Sequence, residues 1–174
     1  FKWLGKRCTL PLAGDAGNRK YERLDDPIKG PAVLMDANPS MGEDIGPFLN
    51  IAMHLSTCNL SAPKIFAENK KLGLILMQDF GDSLLFKIAE QSPSLELKLY
   101  QIALETLDHL HLNSSPLGVG NYLAADMAKA AGATLAWYCS KELAAEISVE
   151  LLHQLKELDW SNPVLVLRDY HAQN

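Results

Sequence analysis

Leu167-Arg168-Asp169-Tyr170-His171-Ala172-Gln173-Asn174 follows directly on the apolar residues Val164-Leu165-Val166. Residues 164–167 read as a short buried strand, entered through the breaker Asn162-Pro163. The strand then runs into an Asp placed five residues before an Asn. One short loop at a strand end can present both a carboxylate and an amide oxygen. Taken alone, the pattern is also an ordinary polar turn, and the rest of the chain has to decide between the two.

Moving back from this loop, the chain reads as helical. Ile147, Leu151, Leu155 and Leu158 recur at helical spacing, as do Leu99, Ile102, Ala103, Thr106, Leu107 and Leu110. The Ala-rich stretch 123–133 is expected as a shorter helix between them. Before Gln78 the character changes. Residues 9–12, 21–24 and 32–35 read as three strands, joined by turn-rich loops at 13–18 and 25–31. A helix is expected from near Pro47, with Phe48, Ile51, Ala52 and Leu55 on one face and Asn59–Pro63 as its end. Glu43 and Asp44 are read as favourable charges just before it, without a cation partner. Residues 64–67 and 72–77 read as two further strands around the turn 68–71. The order is three strands, a helix, two strands, then helices, with the boundary at Gln78–Ser83.

Two more stretches bear on chemistry. In Leu12-Ala13-Gly14-Asp15-Ala16-Gly17-Asn18-Arg19-Lys20-Tyr21, small residues form a hairpin tip whose backbone N–H groups could approach a triphosphate, with Arg19 and Lys20 adding charge. An ordinary flexible hairpin would have the same composition. In Leu76-Met77-Gln78-Asp79-Phe80-Gly81-Asp82, an apolar strand runs into a polar, Gly-containing linker.

Composition narrows the classes. The 174 residues are 48% hydrophobic and 21% charged, an ordinary globular balance. The net charge of −5, with basic runs no longer than two residues, gives no footprint for nucleic acid. Cys8, Cys58 and Cys139 stand far apart and read as free thiols in a reducing compartment. No apolar run approaches the ~20 residues of a membrane span, and the start is not a signal peptide. A cytoplasmic protein with no membrane partner is expected. The first residue is Phe rather than Met, so residues are expected before it.

These stretches, in this order, resemble the aminoglycoside phosphotransferase and choline kinase superfamily. Within it, the chain is similar to bacterial kinases that phosphorylate N-acetylmuramate and N-acetylglucosamine at the anomeric hydroxyl. The matching pieces are 12–16 with Arg19-Lys20-Tyr21, residues 32–37, Met77–Asp82, Trp137-Tyr138, and Arg168–His171 with Asn174. The resemblance implies an α+β, bilobal protein-kinase-like fold. Residues 1–77 would form an antiparallel-sheet nucleotide-binding lobe with one helix, 78–83 a hinge, and 84–174 an incomplete helical lobe ending in the catalytic loop.

The same resemblance implies ATP and Mg2+ as cofactors and a small-molecule acceptor, a sugar. Asp169 would be the catalytic base and Asn174 a magnesium ligand. Gly14, Asp15, Ala16, Gly17, Asn18, Arg19 and Lys20 would cover the phosphates. The backbone of Met77, Gln78, Asp79 and Phe80 would bind adenine. Arg168, Tyr170, His171, Trp137 and Tyr138 are candidates for the acceptor pocket, although core packing explains Trp137 and Tyr138 equally well. Two other readings stand beside it: an aminoglycoside or choline-type kinase on the same scaffold, and a non-catalytic nucleotide-binding module.

The chain departs from the family pattern in places. Residues 33–36 carry no Lys at the end of the third strand, which leaves Arg19 and Lys20 as candidate phosphate cations. Leu167 stands where the family usually has His. The second acidic metal ligand is expected after residue 174. Asp79-Phe80-Gly81 spells the kinase metal triplet, but it precedes the catalytic loop and is rejected as a ligand. His109 and His111 do not share a helix face and are not read as a metal pair; His54 and His153 are read as lone surface residues.

Overall fold

A computed structural model describes residues 10–12, 18–26, 30–113, 115 and 118–173. Five strands, β1 (Leu10–Leu12), β2 (Lys20–Asp26), β3 (Gly30–Asp36), β4 (Ile65–Asn69) and β5 (Leu74–Gln78), form one antiparallel sheet in the order β1-β2-β3-β5-β4. Helix α1 (Gly46–Thr57) lies between β3 and β4 in the chain. After the sheet come α2 (Leu85–Gln91), α3 (Glu96–His111), α4 (Ala124–Leu135) and α5 (Lys141–Lys156). The fold is α+β.

Contacts divide the chain into two compact units, residues 1–117 with 169–174 and residues 118–168. In the first, the core follows from strand alternation. Val33 and Met35 of β3 stand opposite Met77 and Ile75 of β5, and all four are buried with Ala37 and Ile45. Phe48 and Leu49 of α1, with Leu12, Tyr21 and Ile65, pack against this group. Side chains two apart on neighbouring strands share a face, so this period brings them together. The β3 and β5 ends are closed by Ala37 N–H donating to Gly73 O at 2.8 Å. Gly73 has φ +68°, and a Cβ there would lie 1.9 Å from Ala37 O, so only glycine fits.

Helix α1 starts where Pro47 suggests. Asp44 Oδ1 accepts from Gly46 N–H at 2.8 Å and stabilises the entry. Asn59, at φ +57°, ends the helix in the left-handed conformation, with Leu60 N–H donating to Leu55 O at 2.9 Å. His109 of α3 lies 2.7 Å from the Cys58 carbonyl through Nε2, so it has a structural partner. His54, expected as a lone surface residue, is instead half-buried beside Cys58 Sγ at 3.6 Å.

The second unit contains α4 and α5. Asp126 Oδ2 accepts from Leu123 N–H at 2.9 Å and caps α4; Ser140 Oγ accepts from Leu143 N–H at 3.2 Å and caps α5. The α5 cap places its start at Lys141, earlier than the apolar repeat from Ile147 suggests. The two helices touch at Gly132, where a Cβ would lie 2.3 Å from Ser148 Oγ and 3.3 Å from its Cβ. Ser148 Oγ donates to Ala144 O at 2.6 Å, so it cannot swing away without losing that bond. Gly132→Ala is therefore expected to destabilise by about 1–3 kcal/mol despite the better helix propensity of Ala, lowering the midpoint of a thermal melt. A raised midpoint would show that the helices separate easily here.

One expected element is absent. Residues 164–167 do not form a strand: only Leu165 is buried, while Val164 and Val166 are exposed. A strand exists through its ladder, and no described residue supplies a partner for this run.

Candidate functional site

The Asp169 loop is held by residues distant in the chain. Tyr170 Oη donates to the Ala103 carbonyl of α3 at 2.7 Å, and Ala172 O accepts from Phe86 N–H in the first turn of α2 at 3.0 Å. Residues 170–172 are thus tied to α2 and α3, once by a side chain and once by backbone. Asp169 itself is exposed. His171 is also exposed, and its Nδ1 accepts from Gln173 N–H at 3.3 Å. Asn174 lies outside the described residues, as do Gly14, Asp15, Ala16 and Gly17.

Asn18, Arg19 and Lys20 are described. Asn18 and Lys20 are exposed and Arg19 is half-buried. Arg19 Nε donates to Glu43 Oε2 at 2.8 Å, and this bond holds the guanidinium above its ordinary pKa. The expectation that Glu43 has no cation partner is therefore corrected. The pair joins residues 24 apart, from the start of β2 to the segment before α1. Sequence spacing carries no signal for such a contact. Lys20 leads into β2 next to Tyr21, which packs on the core, so it stands on the opposite side of the strand.

Met77 and Gln78 close β5, opposite Val33 and Ala32 of β3, and Met77 also stands opposite Ile65 of β4. Gln78 N–H donates to Lys64 O at 2.9 Å. Asp79 is engaged by Arg23 of β2 and accepts from Gly81 N–H through Oδ1 at 2.8 Å. Its carboxylate is thus engaged by both a guanidinium and a backbone N–H. Phe80 is exposed. Asp82 completes the ion cluster with Arg23, whose guanidinium holds the Asp82 carboxyl below its ordinary pKa. Neither Arg23 nor Asp82 was singled out from sequence; the only signal was charge of opposite sign at 23 and at 79 and 82.

Of the acceptor candidates, Arg168, Trp137 and Tyr138 belong to the second unit. Arg168 adopts φ +68°, uncommon for a residue with a side chain, and its guanidinium carbon lies 5.3 Å from the Tyr122 ring centre. Trp137 and Tyr138 are 89% and 85% exposed, so they are not core residues. With Ala133 and Thr134 they line an open cavity of about 470 Å³. Another cavity, about 540 Å³, lies between α1 and β4 and includes neither Asp169 nor residues 77–80. Among the described residues, no three His, Cys, Asp or Glu side chains converge to hold a metal, and no helix is long and apolar enough to cross a membrane.

The chain is similar to an N-acetylmuramate/N-acetylglucosamine kinase of Pseudomonas aeruginosa, 26% identical over 173 residues, which is 95% of this chain and 50% of the relative. It is also similar to an N-acetylmuramate/N-acetylglucosamine kinase of Caulobacter vibrioides, 29% identical over 130 residues, 60% of this chain and 36% of the relative. The chain spans about half the length or less of these curated relatives. The family model described as "Phosphotransferase enzyme family" matches residues 9–174, and the chain belongs to that family.

Proposed function

We propose that the protein is an ATP-dependent kinase that moves the γ-phosphate to a hydroxyl of an amino sugar of the N-acetylmuramate/N-acetylglucosamine kind. The observation that carries this reading is the family match from residue 9 to residue 174, which takes in both the β2–β3 strands and the Asp169 loop. The names of the two relatives support the sugar acceptor. Residues 1–77, 78–83 and 84–174 are proposed as nucleotide lobe, hinge and helical lobe, and the cytoplasm as the compartment.

In the proposed reaction, Asp169 orients the acceptor hydroxyl and takes its proton. The hydroxyl oxygen forms a bond to the γ-phosphorus as the bond to the β-phosphate oxygen breaks, and ADP leaves. Loop 14–20 covers the phosphates, with Arg19 as the main cation. The backbone of 77–80 reads the adenine edge. Trp137 and Tyr138 offer exposed ring faces of the type that stack on sugars, and Tyr170, His171 and Arg168 are proposed as further acceptor contacts. Magnesium, when bound, would neutralise phosphate oxygens. Asn174 is its proposed ligand, with a second ligand after residue 174. The described residues assemble no such site.

ATP turnover by the full-length protein, with N-acetylmuramate, N-acetylglucosamine, an aminoglycoside and choline as acceptors, tests the proposal. Magnesium-dependent transfer to the amino sugars is expected. Preference for the aminoglycoside or choline would replace the acceptor assignment. ATP binding without transfer to any of them would favour a non-catalytic module.

A further inference from the structure

Arg23 stands in the middle of β2, opposite Val33 of β3 and Leu10 of β1. Its guanidinium reaches the stretch that leaves β5. Nη1 donates to Asp82 Oδ2 at 3.0 Å, and Nη2 donates to Asp82 Oδ1 at 3.1 Å and to Asp79 Oδ1 at 3.2 Å. Nε lies against Asp79 Oδ2 as a close ion pair without an aligned hydrogen bond. Both Asp82 oxygens are therefore held by a two-pronged fork, the geometry in which Arg and carboxylate discriminate orientation best.

Exposed ion pairs contribute little on their own, because water and salt screen them. This cluster differs at one end. The Asp79 side chain is only 6% exposed, whereas that of Asp82 is 65% exposed. Asp79 also holds the Gly81 N–H, and Gly81 takes φ +74°, so one carboxylate links the guanidinium to a tight backbone turn. Upstream, Gln78 N–H is fixed on Lys64 O. The segment from Gln78 to Asp82 is thus pinned at both ends, once by backbone and once by Arg23.

We propose that Arg23 is a positioning residue for nucleotide binding: by clamping Asp79 and Asp82 it fixes the backbone of residues 77–80 in the shape that receives the purine. This rests on the kinase reading above. Backbone donors and acceptors recognise a flat heterocycle only when they are held in place beforehand, since ordering them on binding costs affinity. Arg23 acts on the adenine end alone, so its loss should weaken ATP and leave the acceptor untouched.

The test compares wild type, Arg23→Ala, Arg23→Lys and Asp82→Asn in the full-length protein, by steady-state kinetics and by amide hydrogen exchange at residues 78–83. Arg23→Ala is expected to raise the KM for ATP on the order of tenfold, with the acceptor KM within about twofold. Exchange at 79–83 should speed up. Arg23→Lys should recover part of the protection, since an ammonium keeps the charge and loses the fork. Asp82→Asn should give a smaller change in the same direction, because that end is exposed. Unchanged ATP KM or unchanged exchange in Arg23→Ala overturns the proposal. So does an equal rise in both KM values, which marks general loss of the fold. Wild-type protein that binds ATP yet transfers phosphate to no acceptor defeats the kinase reading instead; equilibrium titration of ATP then judges Arg23 directly, with about tenfold weaker binding expected and equal binding overturning it.

Discussion

Asp169→Asn is expected to lower kcat by roughly 10²–10⁴-fold while the affinity for ATP stays within about twofold. Asn keeps the shape of the side chain and cannot take a proton from the acceptor hydroxyl. Two bonds that hold the loop, Tyr170 Oη on Ala103 O and Phe86 N–H on Ala172 O, do not use the Asp169 side chain, and a thermal melt of the variant checks that the fold is kept. Transfer rates with saturating ATP and acceptor, together with calorimetric ATP titration, separate the two quantities. Near-normal turnover in this variant would defeat the assignment of Asp169 as base. A large loss of ATP affinity would mean that the residue acts on the nucleotide instead.

Arg19→Ala is expected to lower kcat/KM for ATP by roughly 10²-fold, the scale of removing one charge aimed at a phosphate. Lys20→Ala costs less than about threefold, since that side chain is exposed and stands across the strand from the core-facing Tyr21. Glu43→Ala gives an intermediate loss, because it removes the carboxylate that holds Arg19 at 2.8 Å. Adding Glu43→Ala to Arg19→Ala should cost little more than Arg19→Ala alone, as expected for two residues that act as a unit. If both Arg19→Ala and Lys20→Ala leave the ATP KM and turnover unchanged, the phosphate is neutralised elsewhere.

Most elements were legible because their signals are local. The breaks at Asn59 and Pro63, the apolar runs at 32–35 and 72–77, and the helical repeat from Leu99 to Leu110 each lie within one segment. The repeat identified the less exposed face of α3, with Leu110 buried and Leu99, Ala103, Thr106 and Leu107 half-buried; Ile102, on the same stripe, is 49% exposed. Residues 164–167 failed for the opposite reason. Their apolar character is local, but strand formation depends on a partner elsewhere in the chain.

The Asp169 loop shows the same division. From sequence alone came the spacing of Asp169 and Asn174 after an apolar run, and the order of strands and helices in front of it. Those are properties of the chain read one segment at a time. Tertiary structure alone decided what holds the loop, Tyr170 on Ala103 and Phe86 on Ala172, and which ion pairs form elsewhere in the candidate site, Glu43 on Arg19 and Arg23 on Asp79 and Asp82. These partners are 24 to 86 residues apart in the chain, and they meet in space because the sheet and helices fold back on one another. Ion pairs and side-chain hydrogen bonds need a few ångströms and a correct direction, and no sequence period specifies either.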